Sequence, residues 1–315
     1  MPGIFGRHTG TTQREQDAHR LASATVVVGV DGSPGATTAL RWAAQYARVH
    51  GRELHIVHGM NLVGATWPAS VPATPSPWVV DASRTHGRDV IARAEELARS
   101  TAPEVAVTAE LVPDNPAALL IDRSAAAFTV VLGATGATGM LAHLGSTLLS
   151  VVAHAHGTVV VVRADPPTGD TVHSSGPIVV GVDGSPIGEA AIASAFAEAA
   201  QRDAELVAVH VWNDGNFGHY AGYDTVRLSD GDPGQAEDAI MAERTAGWQE
   251  KYPDVRVVHA SYAFAPAEHL LEWSKSAQLM VLGSRGRGGF AGMLLGSTVN
   301  FLVQHAQCPV MVVHP

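Results

Sequence analysis

Val26 to Pro34 reads VVVGVDGSP and Ile178 to Pro186 reads IVVGVDGSP, eight identities in nine positions at an offset of 152. Each stretch is a continuous apolar run that stops on Asp, Gly and Ser. Such a run suits a strand buried on both faces of a parallel sheet. The proline that follows suits the first position of a helix, where its missing N–H has no intrahelical partner. Further on, VVLGATGATGMLAHLGST (Val130 to Thr147) aligns with MVLGSRGRGGFAGMLLGST (Met280 to Thr298) at an offset of 150, moving to 151 after a one-residue length difference. Similarity in the same order at a near-constant offset marks a tandem duplication. The boundary falls in ADPPTGDTVHSSGP, Ala164 to Pro177, which has a linker's composition. The expected organisation is a flexible extension (1–23), one domain (24–165), a linker (166–176) and a second domain (177–315).

Within each copy the pattern alternates strand and helix. The first half predicts strands at Thr25–Val30, Glu53–His58, Val105–Val112, Thr129–Gly133 and Thr158–Arg163. Between them fall helices from Pro34, at Arg88–Arg99, at Pro116–Ala127 capped by Asn115, and at Ser146–Ala155. The second half repeats the order, with strands near 178–183, 205–212, 256–262, 279–283 and 309–313. Leu40, Ala43, Ala44 and Ala47 form the inner stripe of the first helix; Ile192, Ala195, Phe196, Ala199 and Ala200 form that of its counterpart. The expectation is an α/β protein of two tandem, doubly wound, five-stranded parallel-sheet domains, with ligands at the strand carboxyl ends. Asn61–Thr85 and Asn213–Ala236 read as long irregular segments. The short apolar last strands, Thr158–Arg163 and Pro309–Val313, should lie at or near a sheet edge that needs covering.

Composition narrows the function classes. Apolar residues make up 46% and charged residues 16% of 315 positions, which argues against long disorder. A formal charge of −10 argues against nucleic acid or an anionic membrane as a main partner. The amino terminus has no secretory apolar core, and the uncharged stretch Ser124 to Val162 is interrupted by five glycines, so a cytoplasmic protein is expected. Cys308 is the single cysteine, which excludes an intrachain disulfide; it reads as a small buried residue. Lysine occurs only at 251 and 275, so the first 250 residues hold no Walker, kinase or Schiff-base lysine. No His-Glu-x-x-His motif or Cys/His quartet is present among the sixteen histidines, and no protein-held metal is expected.

Two loops per half stand where a ligand should bind. The first follows strand one, at Val30-Asp31-Gly32-Ser33 and Val182-Asp183-Gly184-Ser185. The second follows strand four. In the second half it runs from Gly283 through Arg285, Gly286 and Arg287 to Gly296, Ser297 and Thr298, a Gly-x₂-Gly-x₉-Gly-Ser spacing. Closely spaced glycines let backbone N–H groups converge on an anion, and the helix that opens near Ser297 adds its positive end. Arg285 and Arg287 add formal charge, a combination suited to a di- or triphosphate. For Asp31 and Asp183, turn formation or helix capping is the plain alternative, compatible with accepting a ribose hydroxyl.

With VGVDGSP, the His210-Val-Trp212 tripeptide, the Gly283…Gly286…Gly296-Ser297 loop and the closing CPVMVV in view, the chain resembles a tandem universal stress protein of the ATP-binding class. The resemblance covers both halves and implies the fold shared with adenine-nucleotide alpha hydrolases. It implies that Gly181, Val182 and Asp183 line adenine and ribose, with Val211 beneath the base and Leu282 beside it. Gly283, Arg285, Gly286, Arg287, Gly296, Ser297 and Thr298 would hold the phosphates of ATP, with or without Mg²⁺. In the first half the matching positions are Gly29, Val30, Asp31, Gly133, Gly136, Gly145, Ser146 and Thr147. The resemblance also implies pairing of the two halves through their last strands, a homodimer, an unidentified regulatory protein partner and a role in stress survival.

The first half departs from the pattern. Eight residues rather than nine separate Gly136 from Gly145, Ala134, Thr135 and Ala137 stand where Ser284, Arg285 and Arg287 would, and Gly59 replaces Val211. A weaker, slower or empty first site is expected. No Ser/His/Asp signature, useful carboxylate pair or general base accompanies the phosphate loop, so any hydrolysis should be slow and the chain is expected not to be an enzyme. Two other readings stand beside this one. An ATP-using enzyme of the same fold would need His-x-Gly-His or Ser-Gly-Gly-x-Asp-Ser, and neither string occurs. A partner-binding scaffold with vestigial pockets is the other. His58 and His210 are expected to hydrogen-bond near the pocket; His154 and His305 suit helix carboxyl ends.

Overall fold

The computed structural model describes residues 24–62, 76–134, 146–164, 172–212, 233–286 and 294–315. Its elements run β1 (Val26–Gly29), α1 (Pro34–Val49), β2 (Leu54–Gly59), α2 (Pro77–Thr101), β3 (Val107–Val112), α3 (Pro116–Ser124), β4 (Thr129–Gly133), α4 (Ser146–His154) and β5 (Val159–Val162). The second half repeats them as β6 (Ile178–Val182), α5 (Pro186–Arg202), β7 (Leu206–Trp212), α6 (Pro233–Lys251), β8 (Val257–Ala263), α7 (Pro266–Trp273), β9 (Leu279–Gly283), α8 (Ser297–His305) and β10 (Val310–Val313). The ten strands make one sheet in the order β3-β2-β1-β4-β5-β10-β9-β6-β7-β8. Every pairing is parallel except β5 with β10, where Val161, Val160 and Val159 face Val310, Met311 and Val312 antiparallel.

The last strands thus cover one another. Each is an edge of its own half, and all eight of their residues are buried in the joined sheet. Alternate residues divide between two apolar layers. Val26 and Val28 face α1 and α2, while Val27, Val130 and Leu132 face α3 and α4; the second half does the same. Helices therefore cover both faces, which is why these strands read as unbroken apolar runs.

The expected helix at Arg88–Arg99 begins eleven residues earlier, at Pro77, so part of the stretch read as irregular is helical. Gly87, inside this helix, is a packing point. A Cβ there would lie 2.5 Å from Leu111 Cδ1 and 3.1 Å from the His58 ring. The other bounds differ by residues at element ends, as where α3 stops at Ser124 rather than Ala127. Ala200 is exposed, and Glu198 is buried in its stead.

Glu198 belongs to the joint between the halves. Tyr46 Oη donates to its Oε1 at 2.6 Å, Arg202 Nε donates to its Oε2 at 3.0 Å, and His50 Nε2 stands 3.3 Å from Oε1. Tyr46 and Glu198 occupy equivalent positions of the duplication, 152 residues apart, as do Val49 and Gln201, whose amide donates to the Val49 carbonyl. His50 and Arg202 are equivalent at the same offset. The joint is a pseudo-dyad at which equivalent residues meet and have diverged into complementary chemistry. A second equivalent pair exchanges helix caps across it. Arg163 donates to the carbonyls of Val303 and Gln304 at the end of α8, and the His314 ring nitrogens lie 2.7 Å and 2.9 Å from the carbonyls of Gly157 and Val152 beyond and within α4.

Burial by itself would raise the Glu198 carboxyl, but His50, Arg202 and Tyr46 outweigh it and hold the group below its ordinary range. Burial, then the Glu198 charge, raises the Tyr46 phenol. Cys308 is buried, and that burial pushes its thiol up to about 12, which makes it chemically inert. Among the described residues no helix is long and apolar enough to cross a membrane.

Candidate functional site

In the strand order 3-2-1-4-5 of each half, the chain reverses direction of travel between strands one and four, and their carboxyl ends open a crevice there. Both strand-one turns are built alike. Asp31 Oδ1 accepts from Ser33 N at 2.9 Å, and Asp183 Oδ1 accepts from Ser185 N at 3.0 Å. Helix capping falls to the serines: Ser33 Oγ accepts from Ala36 N and Ser185 Oγ from Gly188 N. Each Asp thus closes its turn through Oδ1. His58 Nδ1 lies 2.7 Å from the Val30 carbonyl and His210 Nδ1 2.8 Å from that of Val182. A carbonyl only accepts, so Nδ1 carries the proton, and both histidines fix the backbone just before the aspartates. His154 Nδ1 meets the Ser150 carbonyl one turn back, and His305 packs edge-on against Phe301.

In the first half the crevice is a cavity of about 290 Å³. Gly29, Val30, Asp31, Gly133, Ser146 and Thr147, all anticipated from the sequence, line it together. Gly136 and Gly145 lie outside the described residues. Ser33 and Ala134, from the two loops, also line it, as do Ala36, Val57, Leu119, Leu120, Leu132 and Leu148, which sequence reading did not single out as site residues. Signal existed for the two α3 leucines, because Asn115-Pro116 fixes the helix start and hence which face turns to the strand ends. Gly59 explains itself here. A Cβ would lie 2.8 Å from Pro116 Cα, so the first turn of α3 sits where a side chain would go.

The second half handles this corner differently. Val211 packs against the apolar layer, and α7 begins after Phe264 and Ala265, which have φ of 61° and 53°. Asn115 instead holds extended backbone and caps α3 with its side chain. Two successive non-glycine residues in the left-handed region carry a strain that the first half avoids. Phe264 is 56% exposed at that point.

The second-half loop closes on its aspartate. A Cβ on Gly286 would come within 2.6 Å of Asp183 Oδ2, so a side chain there would have to push the carboxylate aside. Gly296 N donates to the Ser284 carbonyl at 2.9 Å, tying the two ends of the loop. Gly296 is the N-cap of α8 and offers no side chain, leaving the first-turn amides of Ser297 and Thr298 without the cap that Ser185 gives α5. Gly181 lies against Leu282, whose Cδ2 would be 2.8 Å from a Cβ there, Val182 is buried, and Gly283 and Arg285 stand at the loop's start; Arg287 lies outside the described residues. One group went unremarked in the sequence. The Ser284 hydroxyl is fully buried with no hydrogen-bond partner, at the position that Ala134 holds in the first-half cavity. Among the described residues, no three His, Cys, Asp or Glu side chains gather as a metal set.

Comparison with known proteins gives these architectural features relatives. The model of the Universal stress protein family matches residues 23–163 and again 175–314. The chain is 41% identical over 294 residues to the universal stress protein Rv2005c of Mycobacterium tuberculosis, covering 91% of this chain and 96% of that one. It is 38% identical over 300 residues to Rv2623 of the same organism, covering 92% and 96%. A crystal structure of a universal stress protein from Archaeoglobus fulgidus superposes with a TM-score of 0.70 at 19% identity, over 93% of this chain and 98% of that one, a likeness of fold.

Proposed function

The chain belongs to the universal stress protein family, and from that premise we propose that it is an adenine-nucleotide-binding regulatory protein whose second half holds ATP. The observation that carries this reading is the convergence at the β6–β9 crevice. Asp183, the close approach of Gly286, Arg285 and the uncapped amino terminus of α8 lie together there. A carboxylate at the carboxyl end of strand one suits a ribose hydroxyl. Unoccupied amides beside an arginine suit phosphates. Ser297 and Thr298 offer hydroxyls at the same end. Mg²⁺ accompanying ATP would be held by phosphate oxygens and water, since serine, threonine, glycine and arginine make up the described phosphate end.

Regulation rather than turnover follows from the same inventory. Among the described residues the phosphate ends carry serine, threonine, glycine and arginine, and His58 and His210 stand at the strand-one ends with Nδ1 on the Val30 and Val182 carbonyls. Hydrolysis, where it occurs, is slow. Nucleotide binding then acts by shifting association with a second copy or a protein partner, in a cytoplasmic setting. The test is to purify the chain without added nucleotide, denature it and identify what is released. Bound ATP, depleted in Gly286→Val, supports the reading. A protein that releases nothing and binds no added ATP removes it in favour of a scaffold.

A further inference from the structure

The two crevices differ in charge, and the difference selects a ligand for the first half; this inference rests on the adenine-nucleotide reading above. The described lining of the first cavity contains one ionisable side chain, the Asp31 carboxylate, beside the hydroxyls of Ser33, Ser146 and Thr147. The sequence from Thr135 to Gly145, TGATGMLAHLG, contains neither lysine nor arginine and one histidine, His143, where the corresponding stretch of the second half holds Arg285 and Arg287. Among the described residues, positive potential at the phosphate end comes from backbone amides at the start of α4, worth roughly half an elementary charge. A phosphate monoester carries about −1.5 to −2 at pH 7. Half a charge offsets part of one phosphate and leaves most of a triphosphate uncompensated. The walls of Val57, Leu119, Leu120, Leu132 and Leu148 make that deficit more costly by lowering the local polarity. The same apolar walls, with a carboxylate at one end, suit a purine and its ribose.

We propose that the first half binds an adenine nucleoside carrying at most one phosphate, while the second half takes the di- or triphosphate. One chain then holds two adenylate species at once, and its state follows their ratio.

The experiment titrates the full chain carrying Gly286→Val with adenosine, AMP and MgATP, reading the heat of binding. The added side chain meets Asp183 and blocks the second crevice. Arg285→Ala, which disturbs no close backbone approach, weakens the second crevice by a separate route should Gly286→Val fail to fold. One remaining site is expected, binding adenosine or AMP at least tenfold more tightly than MgATP and lost in Asp31→Ala. AMP tighter than adenosine assigns the monophosphate; equal affinities assign the nucleoside. ATP bound as tightly as AMP at that site overturns the inference. So does a variant that binds no adenine compound while the wild type still binds ATP, and the proposed function then survives alone. A wild type that binds no adenine compound fails the proposed function itself.

Discussion

The two halves share a backbone plan and differ at the positions where that plan meets a ligand or meets itself. At the crevices, Gly59, Ala134 and Thr135 stand where the other half has Val211, Ser284 and Arg285. The first half answers with a cavity whose described lining carries one ionisable side chain, the second with Gly286 set close against Asp183. At the joint, Tyr46 faces Glu198 and His50 faces the same carboxylate as Arg202. Duplication supplied two equivalent surfaces that now differ where they meet. In the joined chain Glu198 takes the Tyr46 phenol and the His50 imidazole from the other half beside the guanidinium of its own helix, whereas two copies of the second half set face to face would bring Glu198 against Glu198 with only the Arg202 side chains to offset them. The Tyr46 and His50 contacts therefore favour the pairing of unlike halves.

The largest expected effect tests the joint. Glu198→Ala leaves Tyr46 and Arg202 buried without their acceptor and should cost about 3–5 kcal/mol of stability, read by denaturant unfolding. A loss below about 1 kcal/mol would mean that the apolar strands hold the halves together unaided. The pH dependence sharpens this. A carboxyl held low in the folded state adds stability that is present above its unfolded value, about 4.3, and lost as pH falls through the folded value. The raised Tyr46 phenol adds stability that is present below about pH 10 and lost as pH rises further. Thermal unfolding should thus weaken at both extremes, and Glu198→Gln should flatten the acid limb.

Next in size is Gly286→Val, expected to weaken ATP binding about 100-fold, near 2.7 kcal/mol, without changing what the first half binds. Equal loss at both crevices would show that the loops are coupled across the sheet. Arg285→Ala should cost about tenfold in ATP affinity and reduce its salt dependence, since an exposed charge acts through a screened field. Ser284→Ala is the smallest. Removing a buried hydroxyl with no partner should leave the unliganded melting temperature unchanged or raise it slightly. A clear drop would show that Ser284 carries a structural bond.

Much of the fold was legible because duplication printed the pattern twice. Apolar runs ending on Asp-Gly-Ser-Pro fixed where β1, α1, β6 and α5 meet, and serine capping with proline at the first helical position needed only local chemistry. The antiparallel meeting of β5 and β10 was foreshadowed by two short apolar strands in need of cover. What escaped was tertiary. Gly87 was not singled out, because its reason lies in Leu111 and His58 on other strands. Nor was Glu198, because its partners Tyr46 and His50 come from the other half. Gly59 looked like a missing base platform, and only the position of Pro116 shows why a glycine is required. The Asp-closed turns and the glycine loop were anticipated as a site, but not the α3 leucines that wall the first-half cavity.

Adenylate stoichiometry on the intact chain tests the central claim most directly. Native mass spectrometry of the wild type with equal AMP and ATP should show one chain carrying one ATP and one AMP or adenosine, with the ATP lost in Gly286→Val. Two ATP per chain of equal affinity, or ATP retained in Gly286→Val, would contradict the account.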